Sequence, residues 1–191
     1  IITYNKVLFL QPNHLEAHNN IGLLLAIQGE YDEAKTTFYK TIEINANYSE
    51  AYNNIGNVLK DEGKLNEAII AYNKALSIKP EYPDVYNNIA IIYQSQGKIK
   101  EAIKLYGKAL SINPNLIGTH RNLSRITMYK HDNPNIKIIE KLFKNNQLKI
   151  REKCELHYTY AKIKEDLGEY NSAFKNYVAG GLLRKKSLRY N

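Results

Sequence analysis

A chain of 191 residues with 43% hydrophobic and 24% charged residues has the makeup of a folded protein, not a disordered one. Its longest apolar run, residues 21–27, is far shorter than the roughly 18 residues a membrane helix needs, so no membrane span is expected. The net charge of +8 is unevenly placed: residues 1–116 hold 11 Lys/Arg and 12 Asp/Glu, whereas residues 117–191 hold 16 and 7.

Along the chain one pattern returns every 34 residues. His18-Asn19-Asn20-Ile21-Gly22 with Gly29, Ala34 and Phe38 comes first. Ala51-Tyr52-Asn53-Asn54-Ile55-Gly56 with Gly63, Ala68, Tyr72, Ala75 and Pro80 follows, then Tyr86-Asn87-Asn88-Ile89-Ala90 with Gly97, Ala102, Tyr106, Ala109 and Pro114. A fixed period of this length marks a repeat solenoid, in which each unit buries its apolar face against its neighbours. Each unit reads as two helices joined at a glycine: about 15–28 and 31–45, 49–62 and 65–79, 83–96 and 99–113. Gly29, Gly63 and Gly97 are placed to end first helices in the left-handed conformation. Glu33, Glu67 and Glu101 fall in the first turn of second helices, where the dipole favours an anion. Gly22, Gly56 and Ala90 are small where paired helices should cross, opposite Phe38, Tyr72 and Tyr106. Pro83 fits the first turn of its helix.

Residues 1–14 align with the second helix of a unit whose first helix is not in this sequence. After residue 116 the pattern loosens. His120-Arg121-Asn122-Leu123 continues it, but His131 replaces the glycine and Asp132-Asn133-Pro134 breaks the chain before a helix over about 135–146. The motif returns at Tyr160-Ala161, Gly168, Tyr170, Ala173 and Tyr177, three residues out of phase. Gly180 sits in the small slot of Ala75 and Ala109, while Gly181 suggests a frayed or bent helix end.

These residues resemble the tetratricopeptide repeat family. The resemblance implies an all-α, right-handed superhelical solenoid of antiparallel helix pairs, about 10–11 helices in all. The units are then 15–48, 49–82, 83–116, a divergent 117–153 with three extra residues, and a tetratricopeptide-like 154–191 ending in a basic helix.

Asn20, Asn54, Asn88 and Asn122 recur at one point of each first helix, which the resemblance places on the concave surface. The repeats are similar to those of O-linked N-acetylglucosamine transferases, whose arrays carry an asparagine ladder there. An amide offers a donor and an acceptor, so such a row suits the backbone of an extended peptide; the competing role is bonding along the ladder or to neighbouring helices. Asn19, Asn53, Asn57, Asn87, Arg121 and Arg125 extend the expected peptide-binding stripe.

No phosphate-cradling glycine loop, zinc motif or nucleophile constellation is present, so no catalytic residue, metal site or cofactor is expected. His18, His120 and His157 share a position held elsewhere by Tyr52 and Tyr86, which reads as an aromatic packing site. Cys154 stands alone, which with the missing signal pattern favours a cytoplasmic setting. The dispersed basic residues of 117–191 form no recognised nucleic-acid module, and no nucleic-acid or membrane partner is expected. Residues 120–191 also resemble the segment preceding the catalytic domain in bacterial fusions of such repeats to a sulfotransferase. The matching pieces are His120 to Leu123, Asp132 to Pro134, Tyr160 to Lys162, Glu165 to Gly168, Ala173-Phe174 and Gly180 to Arg184. The expected function is thus a non-catalytic protein- or peptide-binding scaffold. The alternative is the substrate-presenting or regulatory arm of a transferase, a sulfotransferase first, with its catalytic domain beyond residue 191. Self-association through exposed repeat ends is a further expectation.

Overall fold

The computed structural model describes residues 1–145 and 147–188. Among these residues every regular element is a helix: α1 (Ile2–Leu10), α2 (Leu15–Gln28), α3 (Tyr31–Ile44), α4 (Ser49–Asp61), α5 (Leu65–Ile78), α6 (Pro83–Ser95), α7 (Ile99–Ile112), α8 (Ile117–Ser124), α9 (Asn135–Leu142), α10 (Ile150–Asp166) and α11 (Tyr170–Leu188). The protein is therefore all-α, an array of helices of the solenoid class. It divides into two compact units, Ile1–Ile92 and Tyr93 onward. No described helix is long and apolar enough to cross a membrane.

The turns follow from the residues that occupy them. Gly29, Gly63, Gly97 and Gly168 have φ between 74° and 83°, a region costly for any side chain. The connections to the next pair use Asn side chains: Asn45 Oδ1 accepts from the Asn47 N–H at 2.9 Å, and Asn113 Oδ1 from that of Asn115 at 3.0 Å. His14 caps α2, its Nδ1 accepting from the Ala17 N–H at 3.2 Å.

In the first unit, each pair crosses with a ring lying against a glycine. An added methyl at Gly22 would stand 2.6 Å from Phe38 Cε1, and at Gly56 it would stand 2.5 Å from Tyr72 Cε1. Phe38, Tyr72, Ala34 and Ala68 are wholly buried around these crossings. Lys35 ties α3 to the end of α4 through Glu62 at 2.9 Å, both side chains being mostly covered.

The second unit keeps the plan at α10 and α11, where Gly180 lies 3.2 Å, measured from an added methyl, from the Tyr158 ring. The Cys154 thiol donates to the Gly180 carbonyl at 3.3 Å, and burial pushes this thiol's pKa up. Where the repeat pattern loosens, a separate core forms from Ile117, Tyr129, Ile136, Ile139, Leu142, Leu156 and Ile163. Asp166 fastens it: its carboxylate accepts from the Tyr129 N–H at 3.1 Å and pairs with Lys162. The helix expected over about 135–146 ends at Leu142, and Asn146 lies outside the described residues. The junction placed at 153/154 on the repeat count falls in the first turns of α10, which starts at Ile150. Gly181 brings no break; α11 continues to Leu188.

The Gly56 crossing has no spare volume, because the Tyr72 ring is enclosed and its hydroxyl is anchored on Asn57 at 2.7 Å. Gly56→Ala should destabilise the protein by about 1–3 kcal/mol through overpacking. Gly107, mid-helix and with open space around it, is the control. Gly107→Ala should instead add about 0.5–1 kcal/mol, both read from denaturant unfolding.

Candidate functional site

Asparagine is short, and in a first helix it presents an amide close to the backbone of the neighbouring repeat. The structure brings five of the expected residues together on this principle. Asn54 Nδ2 donates to Asn19 Oδ1 at 2.9 Å, joining α4 to α2. Asn88 Nδ2 donates to Asn53 Oδ1 at 3.2 Å and to Asn57 Oδ1 at 3.0 Å, joining α6 to α4. Asn53 Nδ2 donates to Asn54 Oδ1 at 3.4 Å, so the two joints form one chain of amides ending at the Tyr72 hydroxyl on Asn57. Asn19, Asn53 and Asn54 are only 7–8% exposed. These amides therefore bond along the ladder, the structural role weighed against peptide binding on sequence, and they are not solvent-lined.

The other expected residues lie elsewhere. Asn20 is half-buried on α2 and makes no side-chain hydrogen bond among the described residues. It shares a face with Leu23 and Ile27, both exposed, Ile27 to 82%. Asn87 is half-buried on α6. Arg121 and Asn122 are half-buried on α8, and exposed Arg125 caps that helix.

Those last three border a cavity of about 630 Å³ that also takes in Arg151, Cys154, Glu155 and Tyr158 of α10 and Arg184, Ser187 and Leu188 of α11. Arg121 stacks on Tyr158, its guanidinium carbon 5.4 Å from the ring centroid. A second cavity, of about 740 Å³, lies between the α7–α8 turn and α9, with a mixed lining that includes Ile117, Lys141, Leu142 and Glu152. Sequence reasoning missed Arg151, Tyr158 and Arg184. The first two sit off the repeat position that signalled the ladder, and Arg184 belongs to a run that reads simply as a basic helix end.

The histidines at the shared repeat position have a defined role. Nε2 of His18 donates to the Pro12 carbonyl and Nε2 of His120 to the Pro114 carbonyl, each at 2.8 Å. The Tyr86 hydroxyl does the same to the Pro80 carbonyl at 3.1 Å. Each ring thus staples the start of a first helix to the preceding turn, a satisfied carbonyl that a packing reading alone does not supply. His157 differs, sharing a hydrogen bond with Asn176 at 2.9 Å. His120 is fully buried, and burial pushes its pKa down. Among the described residues no three His, Cys, Asp or Glu side chains are grouped to hold a metal ion.

Comparison with known proteins agrees with this architecture. Tetratricopeptide repeat models match residues 15–48 and 83–116, and a TPR repeat model matches residues 56–97. The chain therefore carries tetratricopeptide repeats. No curated protein sequence matches it. Among solved structures, a crystal structure of MamA is similar, with a TM-score of 0.55 and 21% identity over 98% of this chain and 88% of that one. A second MamA crystal structure gives 0.54 and 21%, over 98% and 82%. Likeness at this identity concerns the fold. None of these matches bears on the resemblance to the sulfotransferase-linked segment, which rests on its sequence pieces.

Breaking the amide chain should cost stability. Asn54→Ala removes a donor and an acceptor and leaves Asn19 Oδ1 unpaired in a nearly closed site. The expected loss is about 1–3 kcal/mol in denaturant unfolding; a change within experimental error would show the ladder to be dispensable.

Proposed function

We propose that the chain is a non-catalytic protein-interaction scaffold whose first helices receive an extended peptide. The observation that carries this reading is the division of labour on α2. Its buried Asn19 is tied into the amide chain, while half-buried Asn20 and exposed Leu23 and Ile27 share one face beside it. A face fixed from below and open above is preorganised, so a ligand loses no further order in shaping it. The Asn20 amide can meet a peptide N–H or carbonyl, and Leu23 and Ile27 can cover an apolar side chain. Asn54 and Asn88 support this surface from within, and Asn57 and Asn87 continue it along the later first helices of the same unit; in the second unit Asn122, Arg121 and Arg125 offer a polar surface of their own. Random extended peptides displayed on phage and selected on the chain should yield binders. Asn20→Ala combined with Ile27→Ala should weaken the best of them by about 1–3 kcal/mol and leave the melting temperature unchanged. Equal affinity for the double variant would overturn the reading.

A second surface fits self-association. On α11, Tyr170, Phe174, Val178 and Leu182 are exposed at successive four-residue steps, with exposed Tyr177 three residues after Phe174, forming an apolar stripe. On α1, Ile2, Phe9 and Leu10 are exposed as well. A second copy laid on such a face gains about 25 cal/mol per Å² of apolar surface covered. Sedimentation should show an average mass rising with concentration, and Phe174→Glu should return it to the monomer. A monomer at every concentration would refute it.

A further inference from the structure

We propose that the basic cavity of the second unit is a binding site for a small molecule carrying two phosphoryl groups. This goes beyond the peptide reading, which places Arg121 and Arg125 on a surface for neutral backbone.

Four arginines, Arg121, Arg125, Arg151 and Arg184, border one space of about 630 Å³, and among the described residues that line it the only carboxylate is Glu155. Their convergence is tertiary: α8 and its C-cap supply Arg121 and Arg125, and α10 and α11 supply one each, from positions up to 63 residues apart in sequence. None of the four makes a salt bridge to a carboxylate among the described residues, although lysines elsewhere in the unit do. Like charges gathered without counter-charges repel one another, an arrangement that stabilises nothing by itself. A bound anion relieves it.

The type of cation and the size of the space select the ligand. Guanidinium presents a planar fork that grips phosphate oxygens through paired N–H donors, which ammonium does not. Arg121 is already held in place by the Tyr158 ring, so little side-chain order remains to be lost on binding. Arg151 and Cys154 belong to the first turns of α10, the end of the helix where the dipole favours an anion. Arg184 offsets the opposite influence of the nearby C-terminal end of α11. With Glu155 ionised the described lining residues carry a net +3. One phosphoryl group carries about −1.5 to −2 charges, so two balance the site where one does not. The volume lies within the usual range for small-molecule pockets, about 300–1,000 Å³, leaving room for an organic group attached to the diphosphate.

Calorimetric titration of the whole chain at low ionic strength provides the test, with pyrophosphate as the probe. Inorganic phosphate, sulfate and a phosphoserine peptide serve as comparators. Pyrophosphate should bind at one site, at least about tenfold more tightly than phosphate or sulfate, as a second set of charge-assisted bonds requires. Arg125→Gln with Arg184→Gln, both at exposed positions, should weaken it by about thirtyfold or more and keep the helical circular dichroism. Lys137→Gln with Lys175→Gln removes the same charge away from the cavity and should leave the affinity within about twofold, by screening. No binding, equal binding of phosphate and pyrophosphate, or equal losses in the two double variants would overturn the proposal. A phosphoserine peptide binding more tightly than pyrophosphate would overturn it in favour of a macromolecular ligand. The peptide reading is tested separately through Asn20 and Ile27, which lie in the other unit, so the two proposals can fail independently.

Discussion

The close crossing of paired helices over a residue without a side chain governs the first unit. Phe38 on Gly22 and Tyr72 on Gly56 place a full ring where a methyl would stand less than 3 Å away. Between pairs, short residues on adjacent first helices also reach one another. Asparagine amides span such gaps; at a wider spacing they would face water. The amide chain from Asn19 to Asn57 meets the crossings at one point, the Tyr72 hydroxyl bonded to Asn57. Packing and polar satisfaction are here one arrangement, which is why both recur at the repeat period.

That coupling separates support from contact. Residues at 19, 53 and 54 bond between first helices, and their neighbours at 20, 23 and 27 form the face proposed to meet a peptide. A scaffold of this type needs no catalytic group, since what it offers is a stiff surface with amides and apolar side chains at set intervals. The Pro-carbonyl staples from His18, Tyr86 and His120 add to that stiffness by fixing each first helix at its start.

The second unit shows what happens when the period slips. Here α8 stops at Ser124, ahead of His131, and a different core assembles around Ile139, Leu156 and Ile163. Asp166 then joins a backbone N–H 37 residues away, a contact with no counterpart in the regular repeats. The shortened α8 brings Arg125 to a helix end, where it joins Arg151 and Arg184 around one cavity. The basic excess of residues 117–191 is thus partly gathered and not merely dispersed over exposed faces.

Helix positions, glycine turns and crossing residues were legible in the sequence because they rest on local rules repeated at 34 residues. A glycine at 29, 63 or 97 can hardly be anything but a left-handed turn once its flanks read as helices. The irregular stretch was less legible: α9 ends at Leu142 and α11 runs through Gly181, because long-range packing sets those ends. For the asparagines, sequence established that a polar stripe exists and left open whether it served a ligand or the fold. Spacing along one helix says which residues share a face; it does not say how near the next helix lies. Only the tertiary structure decided that, by bringing α2, α4 and α6 close enough for Asn54 to meet Asn19 and Asn88 to meet Asn53 and Asn57. The arginine cavity was beyond sequence reasoning for the same reason, since its four cations come from three helices that meet only in the folded chain.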